Sequence, residues 1–245
     1  MIHVDRLTRK YDQFEAVSEL TFKINPGEIL GLIGPNGAGK TTTLRVLSGI
    51  IPPSSGSVTL NGHDVVSDAI AARRITGYVP DDPKLFETLT VREHLDFMAA
   101  MYEVDDYMEL ATSLLTNFEL VGKLDVPVQN LSLGMRQKLA ICCAYLTSPQ
   151  IIIFDEPLTG LDPKGIQVIQ NSIKQCAENG AAVIISSHLL SLVEKICTHL
   201  LILDDGKKLL HDSMENILKH VDSEGLEESL ETVFFRITRE QENPV

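Results

Sequence analysis

The sequence lacks any hydrophobic run long enough to cross a bilayer. Its longest uninterrupted apolar stretch, Leu139–Leu146, falls far short of the ~20 residues a spanning helix needs. If a membrane matters to this chain, another chain must supply the spanning part. The opening segment, MIHVDRLTRKYDQF, has no apolar stretch after its basic residues, so no secretory signal is expected there. Positive charge is scarce as well. Lys and Arg total 21 against 34 Asp and Glu, a formal net charge of −13. That balance excludes a bulk basic surface, and no nucleic-acid partner is expected. Cysteines number four, and Cys142, Cys143, Cys176 and Cys197 have neither CxxC nor Cys/His metal spacing. They read as small apolar fillers in a reduced chain. Internal repeats and low-complexity segments are also missing.

What is present suits a globular α/β chain. Hydrophobic residues make up 44% and charged residues 22% of 245 positions, enough for one α/β core with a smaller inserted lobe. Ile2–Leu7 and Leu20–Ile24 alternate apolar and polar residues and predict half-solvated antiparallel strands. Ile29–Ile33, Ile151–Phe154 and Ala182–Ile185 are short continuous apolar runs, the pattern of strands buried on both faces of a parallel sheet. A helix is expected after each: Thr41–Ser48, Lys164–Ala177 and Leu189–Cys197. From about Asp82 to Leu146, helical periodicity over Val91–Met101, Tyr107–Phe118 and Met135–Leu146 runs without a strand, which predicts an inserted helical subdomain. A hairpin is expected around Asp205-Gly206. The segment from Val221 carries seven acidic and two basic residues, and Leu226, Leu230, Val233 and Phe234 share one helical face.

The strongest chemical signal is Gly34–Thr42, which reads GPNGAGKTT and matches the phosphate-binding pattern G-x-x-x-x-G-K-[ST] between an apolar strand and a helix. Gly34, Gly37 and Gly39 permit a tight turn; with Pro35, Asn36 and Ala38 they make a loop whose N–H groups can converge on an anion. The following helix directs its positive end at the same phosphates. Lys40 supplies a point charge for the β- and γ-phosphates, the Thr41 hydroxyl suits Mg²⁺, and Thr42 continues the turn. Ile151–Phe154 ends in Asp155-Glu156. Asp155 would hold Mg²⁺ through its water shell, and Glu156 would polarise a water attacking the γ-phosphate.

Taken in order, these motifs resemble the ATP-binding subunit of an ATP-binding-cassette (ABC) transporter. Tyr11, ahead of Ala16-Val17, resembles the aromatic that stacks on adenine, with Val17 beside it; the alternative for a lone aromatic near an edge strand is packing. Leu131–Gln137 resembles the family's signature, Thr159–Asp162 its Asp-containing loop, and Ser186–His188 its switch histidine. The resemblance implies a P-loop NTPase (RecA-like) core with an antiparallel β subdomain and an inserted α-helical subdomain at about 82–147. The ATP-binding domain would cover 1–220, followed by a short acidic tail at 221–245. It implies ATP and Mg²⁺ as cofactors, with Glu156 as base and His188 hydrogen-bonding the γ-phosphate or the attacking water. Ser132 and Gly134 would grip the γ-phosphate of ATP bound on a second ATP-binding subunit, with Asp162 at the same interface.

Two positions depart from the family pattern. Asp81 stands where Gln is usual; one methylene shorter and charged, it would reach Mg²⁺ through water. Leu133 stands where the signature usually has Gly, which removes backbone freedom and adds bulk at the closing surface. The resemblance also implies a membrane-spanning permease partner, cradled near Gly77–Leu89, and a cytoplasmic position at the inner face of the membrane through that partner. Leu85 and Phe86 either face it or pack into their own lobe. The tail resembles that of ATPases serving ABC-2-type exporters, or is an ordinary amphipathic helix covering the core. The expected activity is ATP hydrolysis driving transport; the alternatives are a non-transport ABC ATPase, such as an iron–sulfur assembly ATPase, and a regulatory ATP-binding module.

Overall fold

Two kinds of apolar pattern become two sheets. A computed structural model of the chain describes residues 1–222 and 229–242. In chain order the strands are β1 (Ile2–Tyr11), β2 (Phe14–Ile24), β3 (Ile29–Ile33), β4 (Ser55–Leu60), β5 (His63–Asp64), β6 (Thr76–Val79), β7 (Ile151–Asp155), β8 (Ala182–Ser186), β9 (His199–Asp204) and β10 (Lys207–Ser213). The helices are α1 (Lys40–Leu47), α2 (Ala69–Arg74), α3 (Val91–Tyr102), α4 (Met108–Asn117), α5 (Leu133–Leu146), α6 (Pro163–Glu178), α7 (Leu190–Ile196), α8 (Met214–Asp222) and α9 (Leu230–Glu242).

The alternating segments build an antiparallel sheet of order β2-β1-β4-β5. The continuous apolar runs build the other sheet, of order β10-β9-β3-β8-β7-β6, parallel except at its β10 edge. Period-two geometry explains why whole strands there are apolar. Ile152 and Phe154 of β7 and Val183 and Ile185 of β8 enter one core, shared with the helices. Ile151 and Ile153, with Ala182 and Ile184, enter a second core, shared with α1 and the antiparallel sheet.

Helix starts follow local chemistry. The Thr90 hydroxyl accepts from the Glu93 N–H while the Glu93 carboxylate accepts from the Thr90 N–H, a reciprocal cap that begins α3. Asp162 accepts from Gly165 N–H at 3.0 Å and Pro163 opens α6. Between β6 and β7 the regular elements are helical: α3 and α4 both pack on α5. At the tail, α9 lies against α7, with Leu230 and Val233 buried. The expected apolar stripe also included Leu226, which lies outside the described residues. Among the described residues no helix is long and apolar enough to cross a membrane.

Candidate functional site

Because β3, β6, β7 and β8 run parallel, their carboxyl ends share one edge of the sheet, where open α/β sheets bind ligands. Chemistry-bearing residues leave each of those ends: Gly34 after β3, Asp81 beyond β6, Asp155-Glu156 at β7 and Ser186–His188 at β8.

The Gly34–Thr42 loop joins β3 to α1. Gly39 precedes the helix at φ 94°, and a Cβ added there would collide with the Ala16 carbonyl oxygen, so both conformation and space call for glycine. Among the described residues, the N–H groups of Asn36, Gly37 and Gly39 have no hydrogen-bond acceptor in the protein, which leaves them for an anion. Lys40 Nζ donates to the carbonyls of Gly34 at 2.7 Å and Pro35 at 3.0 Å. Burial holds the Lys40 ammonium below its usual pKa, and the charges of Glu156 and Asp155 push back upward. The lysine therefore lies within the electrostatic reach of both carboxylates.

Asp155 is buried at 1% exposure, and its Oδ1 accepts from Ser186 Oγ at 2.7 Å. Among the described residues, its Oδ2 is buried with no partner. A buried, unpaired carboxylate oxygen is costly unless something satisfies it. A hard cation prefers oxygen donors of this kind, so the unpaired Asp155 oxygen suits Mg²⁺ by its chemistry. Ser186 Oγ also accepts from the Glu156 N–H at 3.0 Å. Glu156 itself stands at φ +48°, a left-handed conformation that costs a non-glycine residue about 1–3 kcal/mol and concentrates at functional sites. From there its carboxylate meets His188 Nδ1 at 2.8 Å. The His188 side chain is otherwise largely exposed, so it borders solvent while held by Glu156. Tyr78 lies close by; burial first, then the Asp155 charge, push its hydroxyl up to about 12.

The remaining positions divide into those beside this edge and those apart from it. Val17 is fully buried and packs against Gly39, beneath the loop. Tyr11 is 41% exposed at the β1–β2 turn, with the Arg9 guanidinium 4.7 Å from its ring centre. Asp81 is exposed; Pro80 before it accepts from Gln137 Nε2 of α5 at 3.4 Å. Ser132 caps α5, its hydroxyl accepting from Met135 N–H at 3.3 Å. Among the described residues, no hydrogen bond joins Ser132, Gly134 or Asp162 to the Gly34–Thr42 loop. Phe86 is 56% exposed, edge-on to Phe97, whereas Leu85 is half-buried against the core. Ser186 holds the Asp155 carboxylate and the Glu156 backbone N–H, yet its sequence signal was only its place before His188. The signal that could have identified it is the β7–β8 register, which sets Asp155 opposite Ser186.

The chain is similar to known proteins in sequence and in fold. Residues 17–159 match the family model described as ABC transporter. The chain is 33% identical over 243 residues to the ABC-type transporter ATP-binding protein EcsA of Bacillus subtilis (strain 168), covering 98% of this chain and 97% of that protein. It is 34% identical over 220 residues to the Nod factor export ATP-binding protein I of Burkholderia thailandensis, covering 89% of this chain and 72% of that protein. A solved ATP-binding subunit of an ABC transporter superposes with a TM-score of 0.91 at 32% identity, covering 97% and 99% of the two chains. A dimeric structure of a bacterial ABC transporter cassette gives 0.80 at 25% identity, covering 87% and 99%.

Proposed function

Because this chain belongs to the ABC transporter family as an ATP-binding subunit, we propose that it closes head-to-tail with a second such subunit around two ATP molecules. Closure and hydrolysis would drive export through a separate membrane-spanning subunit. The family hydrolyses ATP to power transport, and the dimeric cassette among its structural relatives supports the paired arrangement. Export is favoured by the relative whose name states it, the Nod factor export protein.

The chemistry rests mainly on position and charge. The loop N–H groups and Lys40 hold the β- and γ-phosphates, and Tyr11 stacks on the adenine beside Val17. Thr41, Asp155 and Asp81 would hold Mg²⁺, which would supply neutralising charge for the phosphates. Glu156 orients and polarises the attacking water, and His188, fixed by Glu156 through Nδ1, keeps Nε2 for the γ-phosphate or that water. Ser132 and Gly134 serve the nucleotide of the opposite subunit, with Asp162 at the same interface. The ATP-binding domain spans 1–220, with the helical subdomain at about 82–147 inserted and a tail at 221–245. The exposed Phe86 and the Gly77–Leu89 segment receive the membrane subunit, which keeps the chain at the inner face of the membrane.

One observation carries this reading: the buried Asp155 oxygen without a partner, beside a Glu156–His188 pair and within reach of Lys40. Phosphate release from the purified chain tests it. Steady hydrolysis is expected, and Glu156→Gln should lower it by about 10²-fold or more while ATP binding persists. Fast turnover by that variant would remove Glu156 from its role. Capture of the tagged chain from detergent-solubilised membranes should recover a membrane-spanning subunit.

A further inference from the structure

Leu133 lies against Gly160. Gly160 lies at φ +76°, and a Cβ added there would stand 2.7 Å from Leu133 Cδ2 and 3.1 Å from its Cγ. The Leu133 side chain therefore occupies the space a side chain at position 160 would need. The next residue repeats the approach: a Cβ on Gly134 would lie 3.1 Å from the Gly160 carbonyl oxygen and 3.2 Å from Leu161 Cδ2. The turn that opens α5 and the loop Thr159–Asp162 are packed together within one protomer.

That loop has little else to hold its tip. Thr159 and Gly160 are exposed. Thr159 N–H donates to the Glu156 carbonyl at 3.4 Å and Leu161 N–H to the Leu158 carbonyl at 3.4 Å, both at the long, weak end of the range. Asp162 is anchored to α6 by its cap. The tip thus lies between the Leu133 contact on one side and, through Thr159, the strained backbone of Glu156 on the other.

We propose that Leu133 is a positioning residue that ties the Ser132–Gly134 turn to Gly160 and, through the Thr159–Glu156 backbone link, sets the Glu156 carboxylate of its own protomer. The proposal rests on the paired-subunit reading above. When the Ser132–Gly134 turn engages the partner's nucleotide, Leu133 carries that displacement to the loop that follows Glu156. Each protomer's own site then responds to occupancy of the other. A glycine in place of Leu133 would have no side chain with which to make this contact.

The test measures steady-state ATP hydrolysis against ATP concentration, with ADP affinity by calorimetry, for the full chain and four variants. Leu133→Ala should lower kcat by about tenfold, as small misplacements of a reacting group do, and bring the Hill coefficient towards one. ADP affinity should stay within about twofold, because the turn is not part of the protomer's own phosphate loop. Leu133→Met, similar in volume, should recover most of the loss. Gly160→Ala should also slow hydrolysis, but by a smaller factor when Leu133 is already Ala, since the new methyl then meets no Cδ2. Unchanged kcat and Hill coefficient in Leu133→Ala, with the unsubstituted chain active, would overturn the coupling alone. Weakened ADP binding in Leu133→Ala, or equal losses in Ala and Met, would also overturn it. No hydrolysis by the unsubstituted chain would overturn the paired-subunit reading and the coupling with it.

Discussion

Asp155 and Ser132 are held in opposite ways. Asp155 is buried at the end of β7, tied to Ser186 and within the electrostatic reach of Lys40. Ser132 is exposed at the start of α5, and its hydroxyl accepts from the Met135 N–H of its own helix. The first region is a set of charged and hydrogen-bonded groups fixed by parallel strands before any nucleotide arrives. The second is a helix end and an exposed loop that pack on each other through Leu133 and Gly160. The difference teaches that one protomer preorganises the phosphate and water side of the reaction. In the proposed pairing the remaining groups act on the nucleotide of a second molecule. Preorganised charge is where catalytic stabilisation is largest, whereas an exposed helix start offers N–H groups to an anion.

Substitutions can break each side of that contrast, and their effects should differ in size and kind. The largest stability effect is expected from Gly39→Ala. Its methyl would meet the Ala16 carbonyl at a φ of 94°, costing about 2–5 kcal/mol in strain and overpacking; nucleotide binding should be lost, as calorimetry and thermal unfolding would record. Ser186→Ala should follow. It leaves Asp155 Oδ1 and the Glu156 N–H without their shared hydroxyl, a cost of about 1–3 kcal/mol, visible as a lower Tm with slower hydrolysis. Ser132→Ala should cost about 1 kcal/mol as a lost helix cap. It should slow hydrolysis without changing ADP affinity, which separates the second region from the first.

The smallest effect concerns the helical lobe. His94 is buried, with Nε2 accepting the Phe86 N–H at 2.9 Å, so its proton sits on Nδ1 and is donated to the Thr90 carbonyl at 3.1 Å. Burial lowers its pKa below the ordinary value, opposed by the Thr90 carbonyl and the Glu93 charge. As pH falls, the unfolded chain takes up the second ring proton before the folded chain does. Stability from the neutral ring is therefore complete above a pH of about 6.5 and falls as pH drops towards the lower folded value. Denaturant unfolding near pH 7.5 and 5.5 should show that fall, and His94→Asn should show less of it.

The legible parts of the molecule were those whose residues are consecutive. Gly34–Thr42 and Ile151–Glu156 carry their pattern in one stretch, and the buried strands announced themselves as apolar runs. β4 and β5 were not legible, because Ser55–Leu60 is mostly polar and exposed along its first half and β5 is two residues long. β1 also departs from simple alternation: Arg6 at φ 45° lies within a register shift between Val4 and Leu7, which brings Leu7 back to the core. Ser186 and Asp155 are separated by 31 positions, and only strand pairing joins them. Leu133 and Gly160 meet in the same way, through tertiary packing that no local pattern encodes. The choice left open for Leu85 and Phe86 divides between them, since Leu85 packs inward and Phe86 stays exposed.

The central claim is that the two regions complete each other only across a pair of chains. Sedimentation of Glu156→Gln with and without Mg-ATP tests it most directly. A monomer is expected without nucleotide and a dimer with it, lost again when Ser132→Ala is added. A Glu156→Gln chain that binds ATP yet remains a monomer at every concentration would contradict it.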